Sequence, residues 1–338
     1  MGIGSGAGAC LPELPMFTLT DLERAAALVC TVVPPTAFYA WPLLANRTGA
    51  RVFIKHENHT PIGAFKVRGG IVYLDALKRN GAEPNGVVTA TRGNHGQSIA
   101  LAAASAGLSC TIFVPHGNSR EKNAAMRAFG AELIVAGVDF DESREHAERY
   151  SRERGYHFVP SFHADLVRGV ATYALEMFTA KPELDAVYVP IGMGSGICGL
   201  ITVRDLLGLD TEIIGVVAEL APAVALSFDA GRPVPTNSAN TFADGMACRV
   251  PHEEALAIIR RGAARIVRVR EDEIAAAMRA LWEDTHNVAE GAGAAALAAL
   301  LKERERMRQK CVGLVLSGGN IDREMLAEVL AGRTPVAA

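Results

Sequence analysis

The sequence predicts an α/β protein of two parallel sheets wound by helices, and three observations support this fold class. Short apolar segments alternate with helical segments from residue 86 to near the end of the chain, which is the pattern of wound parallel sheets. Three of these apolar segments end in glycine-rich turns. Hydrophobic residues make up 49% of the chain and aromatic residues only 6%, so we expect a core of small and aliphatic side chains.

The first alternating block, residues 86–160, predicts a small domain of its own. The strand GVVTAT precedes an alanine-rich helix over 95–107. The strand CTIFVP precedes a helix with Ser119 as N-cap and Gly130 just past its end, which are the expected terminal residues. The strand AELIVAG leads into a charged amphipathic helix, DFDESREHAERYSRERG, and YHFVP is the predicted fourth strand.

A second series of elements begins near residue 165 and predicts a larger domain. Its strands are AVYVPIG, EIIGVVAE, ARIVRVR and CVGLVLSGG. The helices expected around them are 165–180, one from about Ile197, one from Pro222, 252–261, EDEIAAAMRALWEDTH, 293–303 and 322–331, with an irregular stretch over 231–251. A chain of 338 residues suits two domains of roughly 100–200 residues each. We expect residues 1–85 and 161–338 to form the larger one, which the chain leaves and re-enters.

Charge and composition exclude several classes of partner. The net charge is −3, with 34 Lys and Arg against 37 Asp and Glu and no basic run, so neither nucleic acid nor an anionic membrane is expected. The longest apolar run, 292–301, is about half of the ~20 residues that a membrane span needs. Six cysteines without a C-x-x-C pair indicate free thiols of a reducing compartment. The N-terminus is not a secretory signal, so the protein is predicted to be cytoplasmic.

The three glycine-rich turns lie at residues 90–98, 190–199 and 316–320. Ligands of open parallel sheets bind at the carboxyl ends of strands. In the second turn, GMGSG precedes a predicted helix, so its backbone amides and the Ser195 hydroxyl form a candidate phosphate site. The turn matches neither G-x-x-x-x-G-K-[ST] nor G-x-G-x-x-G. An ordinary strand-to-helix turn is therefore an equally good interpretation of this segment taken alone.

Lys66 lies within the stretch PIGAFKVRGG and is a candidate reactive amine. Lysine is most often a solvated surface charge, but the apolar neighbours Ile62, Ala64 and Phe65 argue against that role here. Arg68 is the one charged residue nearby, and a like charge is expected to lower the pKa of the amine. An unprotonated lysine is what imine formation with a carbonyl compound requires.

Five motifs occur in a fixed order along the chain: GAFKVRGG, TRGNHGQS, GMGSG, EGAGA and SGGN. Together they resemble the pyridoxal-phosphate (PLP) enzymes of fold type II, the tryptophan synthase β-like fold, and most closely the threonine/serine dehydratase and serine racemase branch. The resemblance covers nearly the whole chain. It implies PLP in the cleft between the two domains, a small-molecule amino-acid substrate and a homodimer.

The resemblance assigns roles to most of the motif residues. Lys66 would form the Schiff base with the cofactor and then remove the substrate's α-proton, with the surrounding glycines giving the cofactor room. The further cofactor contacts would be Phe65 at the pyridine ring, Asn94 at its phenolic oxygen, Gly192, Met193, Gly194, Ser195 and Gly196 at the phosphate, Ser317 at the pyridine nitrogen, and Glu290. The substrate would contact Thr91, Arg92, Gly93, Asn94, His95 and Gly245, with Glu290 close to it.

The function that the resemblance implies is a PLP-dependent ammonia-lyase. Such an enzyme eliminates water from a threonine- or serine-like β-hydroxy amino acid and yields a 2-oxo acid and ammonia. A 3-hydroxyaspartate or phenylserine dehydratase, an amino-acid racemase, a β-replacement synthase and a cofactor-binding protein without turnover are the alternatives. A synthase is expected to contain a motif similar to SGNTG where this chain has RGNHGQ.

Arg92 departs from this branch, which usually has serine or alanine just before GNHG. In racemases a serine there is the acid/base of the opposite face, and a guanidinium with a pKa above ~12 is a poor proton shuttle, so Arg92 argues against racemase activity. One hypothesis is that Arg92 pairs with a second substrate carboxylate or with the α-carboxylate. The other is that Arg92 points out of the pocket and pairs with a surface acid.

A second departure concerns metal binding. Racemase-like relatives hold Mg²⁺ or Ca²⁺ with a glutamate after a strand and an acid several residues further on. Glu219 matches the first position, but Ala225 occupies the second, and one carboxylate is a weak ligand set for a divalent ion. We therefore expect no structural metal, or a monovalent ion.

Overall fold

The computed structural model describes residues 16–82 and 84–336. Its strands and helices follow one another in this order: α1 (Leu19–Cys30), β1 (Phe38–Ala40), α2 (Pro42–Thr48), β2 (Arg51–His56), α3 (Lys66–Arg79), β3 (Gly86–Ala90), α4 (Asn94–Ala106), β4 (Ser109–Val114), α5 (Arg120–Ala128), β5 (Glu132–Val135), α6 (Phe140–Arg154), β6 (His157–Phe158), α7 (Ala164–Ala180), β7 (Ala186–Pro190), α8 (Ser195–Leu206), β8 (Glu212–Ala218), α9 (Ala223–Ala230), α10 (Glu253–Gly262), β9 (Ala263–Val269), α11 (Glu271–Thr285), α12 (Gly291–Lys302), α13 (Arg304–Met307), β10 (Cys311–Leu316) and α14 (Arg323–Leu330). A 3₁₀ turn covers Asp244–Met246.

The strands form two sheets, as the alternating pattern predicted. One has six strands in the order β1-β2-β10-β7-β8-β9, and the other has four in the order β5-β4-β3-β6. All neighbouring strands are parallel except β1 and β2, which are antiparallel. The four-stranded sheet comes entirely from residues 86–158, whereas the six-stranded sheet takes strands from both sides of that segment. The domain boundaries at 85 and 161 stay a prediction.

The helix ends predicted from sequence are confirmed where a capping residue marks them. The Ser119 hydroxyl accepts a hydrogen bond from the Lys122 amide at 3.1 Å and caps α5. Gly107 ends α4 with a left-handed backbone at φ 70°, which glycine adopts at little cost. Other elements differ from expectation, since β6 has only two residues and α12 begins at Gly291 rather than 293. No helix was predicted at α3, whose first residue is Lys66.

The glycines after Lys66 bring helices together, which corrects the expectation that they give the cofactor room. A Cβ on Gly70 would overlap the Ser98 hydroxyl of α4, and a Cβ on Gly69 would lie 2.9 Å from the Leu166 carbonyl oxygen of α7. Both contacts are closer than side chains tolerate. The two glycines therefore let α3 pack tightly against helices on either side.

Candidate active site

A cavity of about 640 Å³ lies where the glycine-rich turns of the two sheets face each other. All the predicted site residues line it: Phe65, Lys66, Thr91, Arg92, Gly93, Asn94, His95, Gly192, Met193, Gly194, Ser195, Gly196, Gly245, Glu290 and Ser317. They come from six separate parts of the chain, and the fold brings them together because the carboxyl ends of parallel strands share one edge of a sheet.

Lys66 is the first residue of α3 and directs its amine across the cavity. Its Nζ donates to the Ser195 hydroxyl at 2.9 Å and lies 5.1 Å from the centre of the Phe65 ring. The side chain is open to the cavity but surrounded by protein, and this removal from bulk water lowers the pKa of its amine from 10.5 to about 8. An amine with such a pKa is available for nucleophilic and base chemistry near neutral pH.

Arg68 does not contribute to that lower pKa, so the expectation that its charge acts on Lys66 is wrong. Its guanidinium is fully buried and donates to Glu57 at 2.8 Å and to Glu176 at 2.6 Å. The buried Lys55 amine also pairs with Glu176, so two cations meet two acids. Burial alone lowers the pKa of Lys66.

The backbone around Lys66 is held by neighbouring strands and helices. The Phe65 amide donates to the Ser317 carbonyl oxygen at 3.1 Å, and the next pair, Ala64 and Gly318, forms an antiparallel bridge. The Ser98 hydroxyl donates to the Lys66 carbonyl oxygen at 2.6 Å. The end of β10 and the first part of α4 therefore fix where α3 begins.

The turn over residues 192–196 follows β7 and opens α8. Gly194 caps the helix with a left-handed backbone at φ 100°, and a Cβ on Gly192 would overlap the Gly245 carbonyl oxygen, so both positions need glycine. The amides of Ser195 and Gly196 make no hydrogen bond to another described residue. A helix N-terminus with free amides binds anions, so this turn fits the phosphate of PLP.

The loop before α4 presents a second set of free amides. The Thr91 hydroxyl accepts from the Gly93 amide at 2.9 Å and shapes the turn, while the amides of Asn94 and His95 are not bonded to any described residue. Burial, together with the charge of Lys66, lowers the pKa of His95 to about 3. His95 is therefore neutral near pH 7, and the helix N-terminus rather than the imidazole supplies positive potential here.

Asn94 belongs to a buried network that the sequence did not reveal. Its Nδ2 donates to Glu290 Oε1 at 2.7 Å, and its Oδ1 accepts from Asn320 Nδ2 at 2.8 Å. The Lys122 amine lies 3.1 Å from Glu290 Oε2 and 2.7 Å from Asp244 Oδ2. The network fixes the orientation of the Asn94 side chain, since both of its polar atoms are engaged.

Lys122 and Glu290 hold their charges by mutual attraction. Burial opposes the charge of the Lys122 amine, but Asp244 and Glu290 outweigh it and raise its pKa above the ordinary value. Burial raises the pKa of the Glu290 carboxyl, and Lys122 limits that rise. Asn320 was part of a quoted motif without an assigned role, whereas nothing in the sequence distinguished Lys122 or Asp244 from surface residues.

The mouth of the cavity lies between residues 138–144 and the irregular stretch predicted from sequence, here residues 237–252. Arg249 links the two sides through Asp139 at 2.9 Å and Asp141 at 2.7 Å. Most of the irregular stretch predicted over 231–251 therefore borders the cavity.

Arg92 also lines the cavity and is half-buried. Its Nε is fully enclosed without a hydrogen-bond partner, and within residues 16–82 and 84–336 no carboxylate pairs with its guanidinium. The structure therefore places Arg92 at the cavity and not in an ion pair with a described surface acid, and its role stays a prediction.

Other expectations concern metals, membranes and thiols. In the part of the chain that the structure describes, no group of three or more His, Cys, Asp or Glu could hold a metal ion. Glu219 is exposed and Ala225 is buried in α9, and the absence of a structural metal stays a prediction.

None of the described helices is both long and apolar enough to cross a bilayer. The five described cysteines are free thiols, while Cys10 lies outside the described residues.

Comparisons with known proteins agree with this geometry. A family model described as "Pyridoxal-phosphate dependent enzyme" matches residues 29–318. The L-threonine ammonia-lyase of Thermotoga maritima is 34% identical over 319 residues, which cover 93% of this chain and 78% of that protein. The processed form of threonine deaminase isoform 2 from Solanum lycopersicum has a TM-score of 0.84 and 28% identity, covering 98% of this chain and 99% of that one.

A pyridoxal 5'-phosphate-dependent aspartate racemase is similarly close in structure, with a TM-score of 0.87 and 28% identity over 91% of this chain and 97% of its own. The family match, the free amine of Lys66 and the anion-binding turn agree with one another. This chain belongs to the pyridoxal-phosphate-dependent enzymes of fold type II, and its cofactor is pyridoxal 5'-phosphate.

Proposed function

We propose that this enzyme is an ammonia-lyase that converts a β-hydroxy amino acid of the threonine or serine type into a 2-oxo acid and ammonia. The observation that carries this proposal is the position of the Lys66 amine, which lies in the cavity 2.9 Å from the Ser195 hydroxyl at the start of α8 and has a pKa lowered to about 8. The 34% identity to the L-threonine ammonia-lyase of Thermotoga maritima supports the same reaction.

The residues around the cavity would hold the cofactor in the roles that the resemblance implies. Lys66 would hold PLP covalently, the turn over 192–196 would bind its phosphate, and Phe65 would lie beside its ring. Asn94 would face the ring hydroxyl and Ser317 the ring nitrogen. When bound, PLP stabilises the negative charge that develops on the substrate's Cα.

Lys66 is the base that removes the α-proton. With a pKa of about 8, roughly a tenth of the amine is neutral at pH 7, compared with less than one in a thousand for an ordinary lysine. The Ser195 hydroxyl, 2.9 Å away, accepts a hydrogen bond from the amine and keeps it inside the cavity. Lys66 can therefore take up a proton without a histidine partner.

Ser317 would present a neutral hydroxyl to the ring nitrogen, where a carboxylate would hold that nitrogen protonated. With a neutral partner the cofactor would be a weaker electron acceptor, which would favour loss of the β-substituent over transamination.

The loop before α4 orients the substrate. Its free amides at Asn94 and His95 would bind the α-carboxylate at the positive end of α4. Glu290 would act through Asn94, since its carboxylate accepts from Asn94 Nδ2 at 2.7 Å. Bound in this way, the substrate would direct its Cα–H bond towards Lys66.

A racemase is the alternative with a structural relative, the PLP-dependent aspartate racemase. Racemisation requires a second acid/base on the opposite face of the substrate, and the position where racemases have serine is Arg92. A guanidinium does not exchange a proton near neutral pH. We therefore place elimination ahead of racemisation.

The test is to incubate the purified enzyme with L-threonine and L-serine and to measure 2-oxo acid and ammonia together. We expect both products in equal amounts, an absorbance band near ~410–420 nm from the lysine imine, and the loss of band and products in Lys66→Ala. D-amino acid formation without ammonia would establish the racemase instead. A wild-type enzyme with the band and no product from any β-hydroxy amino acid would contradict the proposal.

We further propose that the enzyme is a cytoplasmic homodimer of two domains, 1–85 with 161–338 and 86–160. Free thiols support a reducing compartment. Tyr39, Leu43 and Trp282 are large apolar side chains left 59%, 54% and 43% exposed, and such residues are common at subunit contacts. Light scattering at several protein concentrations distinguishes a dimer from a monomer.

A further inference from the structure

Nearly all charged side chains around the cavity have a partner of opposite sign. Lys122 pairs with Asp244 and Glu290, at 2.7 Å and 3.1 Å. Arg249 pairs with Asp139 and Asp141 at the mouth. Each of these cations is neutralised before any ligand enters.

Arg144, which also lines the cavity, has acid neighbours as well. Its guanidinium lies 3.8 Å from Asp141 and 3.7 Å from Glu148. Two cations of the cavity remain without an acid among the described residues, Lys66 and Arg92. The cofactor accounts for Lys66, and nothing described so far accounts for Arg92.

The position of Arg92 makes its lack of a partner costly. The side chain is half-buried and its Nε is fully enclosed without a hydrogen bond. Buried polar atoms in folded proteins are nearly always hydrogen-bonded, and a guanidinium has no acceptor of its own and stays charged. Such a group suits a site where an incoming anion completes the hydrogen bonds.

The substrate's α-carboxylate already has a binding place that does not require Arg92. The amides of Asn94 and His95 are free and lie at the start of α4, where the helix favours a negative group. The phosphate of PLP has the equivalent place at α8. Arg92 is therefore available for a third anionic group, besides the α-carboxylate and the phosphate.

We propose that Arg92 binds a carboxylate attached to the substrate's β-carbon, and that the preferred substrates are β-hydroxy amino acids with a second acidic group, such as 3-hydroxyaspartate. This inference rests on the proposed ammonia-lyase function. A planar guanidinium binds a carboxylate through two parallel hydrogen bonds, and the cavity of about 640 Å³ has room for a side chain longer than that of serine.

The reaction on such a substrate balances without any further reactant. Lys66 takes the α-proton, a Cα–Cβ double bond forms as the Cβ–O bond breaks, and the hydroxyl leaves as water with the proton that Lys66 gives back. The released enamine moves a proton from nitrogen to Cβ, and hydrolysis of its C–N bond takes up one water and releases ammonia. The net change is the conversion of 3-hydroxyaspartate into a 2-oxo dicarboxylic acid and ammonia.

The experiment compares kcat/KM for 3-hydroxyaspartate and L-threonine in the wild type, Arg92→Ala and Arg144→Ala. The wild type is expected to prefer 3-hydroxyaspartate. Arg92→Ala should raise KM for 3-hydroxyaspartate about 100-fold and KM for threonine less than 3-fold. Arg144→Ala removes the same charge from a paired residue of the cavity wall, so it should change both substrates by the same factor.

Binding of unreactive acids to the holoenzyme gives a readout that does not depend on turnover. Succinate should compete with substrate at least 10-fold more tightly than butyrate in the wild type, and Arg92→Ala should remove that difference. Arg92→Lys keeps the charge without the planar fork and should recover only part of it. If Arg92→Ala does not fold, the ratio of succinate to butyrate affinity in Arg92→Lys tests the inference instead, and an unchanged ratio would contradict it.

Each outcome separates this inference from the proposed function. Equal losses for both substrates in Arg92→Ala would place Arg92 on the α-carboxylate and overturn the inference. A wild-type enzyme that turns over threonine but neither 3-hydroxyaspartate nor any other acidic β-hydroxy amino acid would also overturn it and leave the ammonia-lyase intact. A wild-type enzyme that turns over no β-hydroxy amino acid at all would contradict the proposed ammonia-lyase function.

Discussion

Two lysines reach the same cavity from different helices, and their amines experience opposite electrostatics. Lys66, at the start of α3, contacts a serine hydroxyl, and burial lowers its pKa to about 8. Lys122, in the first turn of α5, is also buried, but Asp244 and Glu290 more than offset that burial and raise its pKa. Burial is common to both residues, so the neighbouring acids decide which lysine is a base and which is a fixed cation.

The largest expected effect tests whether Lys66 must be able to lose its proton. Lys66→Arg keeps the positive charge but cannot become neutral near pH 7, so it should lower kcat/KM for the best substrate by at least about 1,000-fold. Lys78→Arg, the same change on the exposed end of α3, is the matched control and should leave the rate within 2-fold. A Lys66→Arg enzyme with more than a tenth of the activity would remove Lys66 from the role of base.

The next test asks what each lysine contributes to stability. Lys122→Met would leave Asp244 and Glu290 buried without their cation, which should reduce the free energy of unfolding by about 3–5 kcal/mol. Lys66→Met removes a buried amine that has no acid partner and should cost less than about 1 kcal/mol, or stabilise the fold. Urea unfolding of both proteins after removal of PLP measures the difference. Equal losses of unfolding free energy in the two variants would contradict the opposite electrostatic surroundings of Lys66 and Lys122.

The pH dependence of stability should separate the same pair. The unfolded amine of Lys66 titrates near 10.5 and the folded amine near 8, so between these values the unfolded chain binds the extra proton and stability rises with pH. The gain is about 3 kcal/mol. The free energy of unfolding is measured against pH for the wild type and for Lys66→Met, both without PLP. The difference between the two curves is the contribution of the Lys66 amine. Lys122, with its raised pKa, contributes stability that is instead lost at high pH, and a flat difference curve for Lys66 would contradict the lowered pKa.

The smallest effect concerns the mouth, where the ion pair is partly exposed. Arg249 and its partner Asp139 are each 34% exposed, and such pairs contribute about 0.2–1 kcal/mol. Arg249→Ala should therefore raise KM about 2–5-fold with little change in kcat. Arg268→Ala breaks a similar pair with Asp229 on the surface and is the control. A large loss of kcat would mean that the mouth participates in chemistry.

Sequence reasoning succeeded where local signals fix the geometry. Asn94 and Ser195 stand next to glycines whose turns follow from short-range rules, Lys66 lies in a motif of its own, and all three residues line one cavity. The side of the site that depends on contacts between distant segments was not predictable in this way. Lys122 and Asp244 are 122 positions apart, and neither residue stands in a motif.

Charge was the weakest part of the sequence-based prediction. Arg68 is two residues from Lys66, so a repulsive effect on the amine was a reasonable expectation. In an α-helix, however, residues two positions apart point in different directions, and Arg68 meets Glu57 and Glu176 instead. Arg92 had two open interpretations, because a sequence cannot say whether an acid elsewhere in the chain folds against it.

The contact between Gly192 and Gly245 constrains how this enzyme could be re-engineered. The first residue of the phosphate turn touches the carbonyl oxygen of a residue in the stretch that shapes the mouth. A grafted loop that shifts Gly245 would therefore also disturb cofactor retention. Libraries aimed at new substrates should vary residues 231–240 and leave the backbone around Gly245 as it is, so that selectivity and cofactor affinity can be changed separately.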